Sequence, residues 1–299
     1  MTGTYQRILL ATEGTEFDAG AEKLAIELAA KFNVPLKAVM LLVTNSEAMT
    51  TDLAREEQAE AEAAMKLDRL KMAAAAQQVE LQGKVRLGDK PESEVIDEAK
   101  AHLSDLIVVR RRGKRGYHAN LVIGEMVQAI AQRSPCDVLI VPRAATLWSQ
   151  GIVLATDGAM KCERATSVTT SFARDFALPV TAVSVVPKRN GDETAAMATI
   201  DRMLKTISAA GTKAAGRIMV GKAHKAILQA AEETRADLIV TERRGLNLVE
   251  RVLHGSTPEQ VAGYANVPVL IVKARTDVSK HMQPLRSNKI RRSLALYNS

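Results

Sequence analysis

Short apolar runs alternate with amphipathic stretches along nearly the whole chain. Ile8–Ala11, Leu36–Val43, Val79–Leu87, Leu106–Arg110 and Val138–Val141 read as buried strands. Helical patterns separate them. Leu24, Leu28 and Phe32 recur every four residues until Asn33 and Pro35 stop the helix. Asp52–Gln78 is rich in Ala, Glu, Lys and Met. Leu53, Ala63, Leu67, Leu70 and Ala74 form one stripe on it, which predicts a long, partly exposed crossover helix. Glu92–Ala101 and Gly124–Gln132 supply two more helices. Five strands alternating with four helices predict an α/β fold, a parallel sheet covered on both faces.

The same pattern then occurs a second time. ILLATEG at Ile8–Gly14 returns as IVLATDG at Ile152–Gly158, and VRLG at Val85–Gly88 as IMVG at Ile218–Gly221. Leu24, Leu28, Phe32 and Pro35 are matched by Val168, Phe172, Phe176 and Pro179. DLIVVRRRG at Asp105–Gly113 returns as DLIVTERRG at Asp237–Gly245, and DVLIVP at Asp137–Pro142 as PVLIVK at Pro268–Lys273. The offset drifts from 144 to 131 residues, which places a longer second helical segment in the first copy. The copies occupy residues 1–145 and 151–274. Thr146–Gln150, with the only tryptophan, is the expected linker, and residues 275–299 form a tail.

Charge changes this picture little. The chain of 299 residues carries a formal net charge of +7. Seven basic residues between Lys273 and Ser299, set against Asp277, leave the rest nearly neutral. Aromatic residues make up 3%, so there is little material for base stacking, and a nucleic-acid partner is not expected. No apolar run is long enough for a membrane span, and the N-terminal residues carry no signal-peptide pattern, so the expected location is cytoplasmic. Cys136 and Cys162 lack CxxC or zinc spacing and read as reduced structural thiols. Ile290, Leu294 and Tyr297 stand at helical spacing beside Arg291 and Arg292. The tail therefore reads either as a solubilising terminus or as a segment that docks on a partner or touches anionic lipid.

Open parallel sheets bind ligands beyond the strand C-terminal ends, at the switch in strand order. Three loops meet there. After the first strand come Thr12-Glu13-Gly14-Thr15 and, in the second copy, Thr156-Asp157-Gly158-Ala159. A carboxylate there can accept hydrogen bonds from a base or a ribose, or simply close a turn. After the fourth strand come Arg110-Arg111-Arg112-Gly113-Lys114-Arg115-Gly116 and Glu242-Arg243-Arg244-Gly245-Leu246-Asn247. Such a loop can present amides and cations to phosphate, or be a solvated basic turn. The last helix opens with Ile123-Gly124-Glu125 and with His254-Gly255-Ser256. Ser256 can cap its helix and meet a phosphate oxygen, whereas Glu125 would repel an anion.

Both copies resemble the universal stress protein family, and together they resemble its tandem form. The resemblance implies two five-stranded parallel sandwiches, Rossmann-like and adenine nucleotide alpha hydrolase-like. Nucleotide-binding members carry G-x-x-G, nine residues, then G-S/T, with an acidic residue after the first strand that faces adenine. In the second copy Gly245, Gly255 and Ser256 match the latter part of the motif, Asp157 matches the acidic position, and Glu242 replaces the first glycine. The resemblance also assigns Val185 to this site. In the first copy Glu13 takes the acidic position and Gly113 that of the second glycine. Arg110 replaces the first glycine, Gly124 follows a ten-residue spacer, and Glu125 replaces Ser/Thr. That site is expected to be degenerate, either empty or suited to another anion through Arg110, Arg111 and Arg112.

No Walker A motif, HExxH or GxSxG elbow is present, and no general base can be named. The resemblance implies a stress-response protein whose second copy binds ATP with Mg²⁺ as a non-catalytic signal. A nucleotide-free interaction scaffold and a slow ATPase are the alternatives. Family members often pair through their last strands. Asp137–Pro142 and Pro268–Lys273 are therefore expected to pair within the chain as a pseudo-dimer, with a further homodimer and an unidentified protein partner left open.

Overall fold

The computed structural model describes residues 3–43, 53–111, 124–156, 162–188, 192–243 and 257–274. The first half runs β1 (Ile8–Thr12), α1 (Ala19–Phe32), β2 (Leu36–Val43), α2 (Leu53–Ala75), β3 (Leu81–Gly88), α3 (Pro91–Ala101), β4 (Leu106–Arg110), α4 (Glu125–Arg133) and β5 (Asp137–Val141). The second half repeats the order. Its elements are β6 (Ile152–Thr156), α5 (Glu163–Phe176), β7 (Val180–Val186), α6 (Glu193–Ala209), β8 (Ala214–Val220), α7 (Ala223–Thr234), β9 (Leu238–Arg243), α8 (Thr257–Tyr264) and β10 (Val269–Lys273). The basic tail lies outside the described residues.

The ten strands among the described residues form one sheet, ordered β3-β2-β1-β4-β5-β10-β9-β6-β7-β8. Within each half the pairs are parallel, and the order reverses direction at β1/β4 and at β6/β9. The halves join through an antiparallel pair in which Leu139 lies opposite Leu270, its own repeat mate. The two-fold relation therefore passes through that pair, as in an isologous dimer interface.

Alternation along the strands sorts the core into two layers. Ile8, Leu10, Ala38 and Met40 pack with α1 and α2, and the matching residues of the second half pack with α5 and α6. Leu9, Ala11, Val39 and Leu41 face the opposite side, toward α3 and α4, while α7 and α8 cover the other half of that side. Helix ends repeat as well. Asn33 and its mate Ala177 both take left-handed backbone with φ near 55°, and each amide returns to carbonyls of the last turn.

Aspartates at the start of β4 and β9 explain the repeated DLIV. Asp105 accepts the amides of Gln6 and Arg7, both at 2.9 Å. Asp237 accepts those of Ser149, Gln150 and Gly151. Each ties the entry of the first strand of its half to the sheet.

The expected linker is a packed part of the core. Trp148 is 3% exposed and contacts Phe172 and Phe176. Those rings meet Phe32 and Tyr5 from the first half in edge-on contacts. An indole offers enough apolar area to draw a short connection inward.

Beneath these rings lies a buried polar hub. Asp137 is fully buried and accepts from Tyr5 Oη at 2.7 Å, from Arg164 Nη1, and from the Lys273 amide at 2.9 Å. Burial first, and then the Asp137 charge, push the Tyr5 hydroxyl well above its ordinary pKa. Burial alone would lower the Arg164 guanidinium, but its bond to Asp137 and the nearby negative charges, Asp137 first, together raise it. The hub has no mate across the two-fold, because Pro268 stands where Asp137 does and Gly20 where Arg164 does. A Cβ on Gly20 would lie 2.4 Å from the Pro142 carbonyl oxygen, so only glycine fits there.

Asp137→Ala, which takes the carboxylate from a partly exposed guanidinium and the acceptor from a buried phenol, is expected to cost about 2–4 kcal/mol in urea unfolding. A second test concerns Glu98, 3% exposed, which meets Lys37 at 3.2 Å, Lys84 at 3.6 Å and Arg86 at 2.8 Å. Burial alone would raise its carboxyl, but bonds from Arg86 and Lys37 and the Lys84 charge leave it below the usual range. Its contribution is therefore present above the unfolded value of about 4.3 and disappears as pH falls through the lower folded value. Glu98→Gln should destabilise by about 1–3 kcal/mol at pH 7, with the difference from wild type narrowing below about pH 4 in urea titrations.

Candidate functional site

The crevice favoured by this topology lies past the C-terminal tips of β1 and β4, and of β6 and β9. In the first half, β1 ends at Thr12, whose hydroxyl donates to Glu22 Oε1 at 2.6 Å and accepts from the Gly14 amide at 2.9 Å. Burial first raises the Glu22 carboxyl, with the Asp18 charge adding to it and the Thr12 bond opposing it. Gly14 takes φ of +64°, a left-handed turn that suits glycine. Thr15 closes the loop by donating its amide and hydroxyl to Asp18 Oδ2 at 2.9 and 2.6 Å.

Arg110, at the tip of β4, lies across this loop. Its Nη2 donates to Glu13 Oε2 at 2.8 Å, and its Nε sits 3.1 Å from Asp18 Oδ1. Asp18 is 1% exposed and Arg110 8%. The guanidinium lies 5.9 Å from the Phe17 ring centre, and Arg143 stacks on the same ring at 5.0 Å. Two carboxylates therefore flank one guanidinium, a charge balance that disfavours a phosphate.

The expectation of an anion site on Arg110, Arg111 and Arg112 thus meets a different geometry. Glu13 and Arg110 come together, but as partners of each other. Arg111 leaves the crevice and crosses to the second half, where Nη1 donates to the carbonyls of Gly263 and Ala265. Gly124 is the buried residue before α4, with extended backbone at φ −64° and ψ 157°. Arg112 and Gly113 lie outside the described residues. Asp18 was not among the sequence candidates, and its place just ahead of α1 was the available signal.

The second half carries other side chains at the same register positions. Glu242 stands where Arg110 does and Cys162 where Asp18 does. Cys162 precedes α5, with Sγ 2.7 Å from Thr156 Oγ1. It lines a groove of about 210 Å³ between α5 and α6 with Thr166, Thr199 and Arg202. Ser184 and Thr241 replace Met40 and Val109 of the first half, on the strands beside β6. Both hydroxyls are buried without a hydrogen-bond partner among the described residues. Val185, the next residue on β7, is 9% exposed. Asp157, Gly245, Gly255 and Ser256 lie outside the described residues. The strand tips of the second half are thus more polar than those of the first, without an arginine at the Arg110 position.

The first crevice yields a direct test. Arg110→Ala removes the guanidinium that Glu13 and Asp18 share. It is expected to lower stability by about 2–4 kcal/mol at pH 7, read by urea unfolding.

Comparison with known proteins places this geometry in context. The profile of the Universal stress protein family matches residues 4–142 and 149–273. A universal stress protein of Synechocystis is 26% identical over 166 residues, 56% of this chain and 57% of that relative. The chain thus matches less than two thirds of that relative's length. One from Methanocaldococcus jannaschii is 32% identical over 76 residues, 25% of this chain and 47% of that relative. The crystal structure of a universal stress protein from Archaeoglobus fulgidus superposes with a TM-score of 0.75 at 22% identity. It covers 92% of this chain and 98% of that one, a likeness of fold.

Proposed function

The chain belongs to the universal stress protein family in tandem form, and on that premise we propose that its second half binds an adenine nucleotide, ATP with Mg²⁺, as a non-catalytic signal in a cytoplasmic stress response. The observation that carries this reading is the difference between the two crevices. In the first half Arg110 bridges Glu13 and Asp18 across the strand tips. In the second half Glu242 and Cys162 stand at those places, so that bridge is not built. Small neutral Cys162 takes less room than an ion-paired carboxylate. The buried hydroxyls of Ser184 and Thr241, on strands that border the crevice, have no hydrogen-bond partner among the described residues.

These residues fit a polar guest. Gly245, Gly255 and Ser256 would hold the phosphates, and Asp157 and Val185 the nucleoside end. Glu242 opposes a bare polyphosphate, and Mg²⁺ would supply the positive charge that offsets this. Occupancy would act by favouring one of two conformations or partner-binding states.

Millimolar Mg-ATP is expected to raise the melting temperature. At ten times Kd the stabilisation is about 1.4 kcal/mol, at about 2–4 °C per kcal/mol for a chain of this size. Asp157→Ala and Ser256→Ala should abolish the shift, and ADP release should not exceed a protein-free control. No shift for wild type would favour a nucleotide-free scaffold. ADP production lost in both variants would favour a slow ATPase.

A further inference from the structure

Arg111 and Arg243 are repeat mates, and each caps the last turn of a helix in the opposite half. Arg111 Nη1 donates to Gly263 O at 3.4 Å and to Ala265 O, at the C-terminal end of α8. Arg243 Nη1 donates to Ala131 O and its Nη2 to Ser134 O at 3.0 Å, at the end of α4. The reciprocity makes the crossing a property of the fold and not of one flexible side chain. Arg111 is half-buried, and burial holds its guanidinium below the ordinary pKa. No carboxylate among the described residues pairs with it. Its counter-charge is the negative end of the α8 dipole, the unsatisfied carbonyls of the last turn.

Helix α8 has eight residues, Thr257–Tyr264. So short a helix is not stable by itself and takes its direction from what packs at its ends. Its length is roughly 12 Å, so a tilt at one end displaces the other. Its first residue follows in sequence on Gly255-Ser256, the proposed phosphate contacts. A phosphate at the N-terminus and a guanidinium at the C-terminus both complement the dipole, so each favours the same ordered helix.

Resting on that nucleotide reading, we infer that Arg111 is a positioning residue for the second half's site. The first half, its own crevice bridged by Arg110, sets the helix on which the guest of the second half would sit. Although Arg243 makes the same contact, it steadies α4, whose crevice is already occupied by the protein's own ion pairs. The geometry is symmetric and its consequence is one-sided.

The test compares the full-length wild type with Arg111→Met, Arg111→Lys and Trp148→Phe. Mg-ATP binding is followed by calorimetry, and amide exchange along α8 is followed without nucleotide. Arg111→Met is expected to weaken Mg-ATP by about tenfold and to speed exchange in α8. Arg111→Lys, which keeps the charge but not the fork, should recover part of both. Trp148→Phe loosens the aromatic core away from α8. Compared at matched global stability, it should leave both readouts as in wild type. Unchanged affinity in Arg111→Met, or affinity lost equally in Trp148→Phe, would overturn the inference. If wild type fails to bind Mg-ATP, the nucleotide reading falls by itself. Exchange in α8 then still supports or overturns the hold of Arg111 on that helix.

Discussion

A parallel sheet ordered 3-2-1-4-5 leaves its last strand with one unpaired edge, and here that edge is as deeply buried as the sheet's centre. Every residue of β5 is buried, and in β10 only Lys273 is not. Buried amides and carbonyls need partners. They find them across the antiparallel β5–β10 pair, centred on Leu139 and Leu270. The remaining features of the junction follow from that pairing. It brings Tyr5, Phe32, Phe172, Phe176 and Trp148 into one aromatic layer. It sets Asp137 between Tyr5, Arg164 and Lys273. It also places the arginine after each fourth strand within reach of a helix end in the opposite half.

The junction is symmetric in backbone and asymmetric in chemistry. One side carries the charged hub of Asp137 and Arg164, and the other carries Pro268 and Gly20. Two copies of a single half could not make this arrangement twice, since the aspartate and the arginine come from different halves. Fusion in one chain freed each half to change separately. The same division marks the crevices, with a guanidinium bridging carboxylates in one and hydroxyl-bearing strand tips in the other. The arginine clamps survive on both sides because they serve the junction whatever each crevice holds.

Much of the fold was legible from the residues. β2 and β4 lie where the apolar runs placed them, and the other strands of the first half within about two residues. Buried parallel strands must be apolar on both faces, which makes them visible as runs. The packing of the linker was not legible, because local composition does not show that Trp148 meets Phe172 and Phe176. The site was less legible. A row of arginines reads alike whether it faces phosphate, carboxylates or carbonyls. Asp18 and Asp137 looked like a helix start and a strand start. What made them matter was distance in space to Arg110 and Arg164, residues 92 and 27 positions away in the chain.

The sequence alone determined the duplication, the α/β alternation, the resemblance to a family, and the inequality of the two motifs. All of these are carried by local pattern and by position within a repeat. Only the tertiary structure decided where the charged side chains are spent. It paired Arg110 with Glu13 and Asp18 and sent Arg111 across to α8. An ion pair depends on the separation of charges in folded space, and the order of residues along the chain does not state that separation.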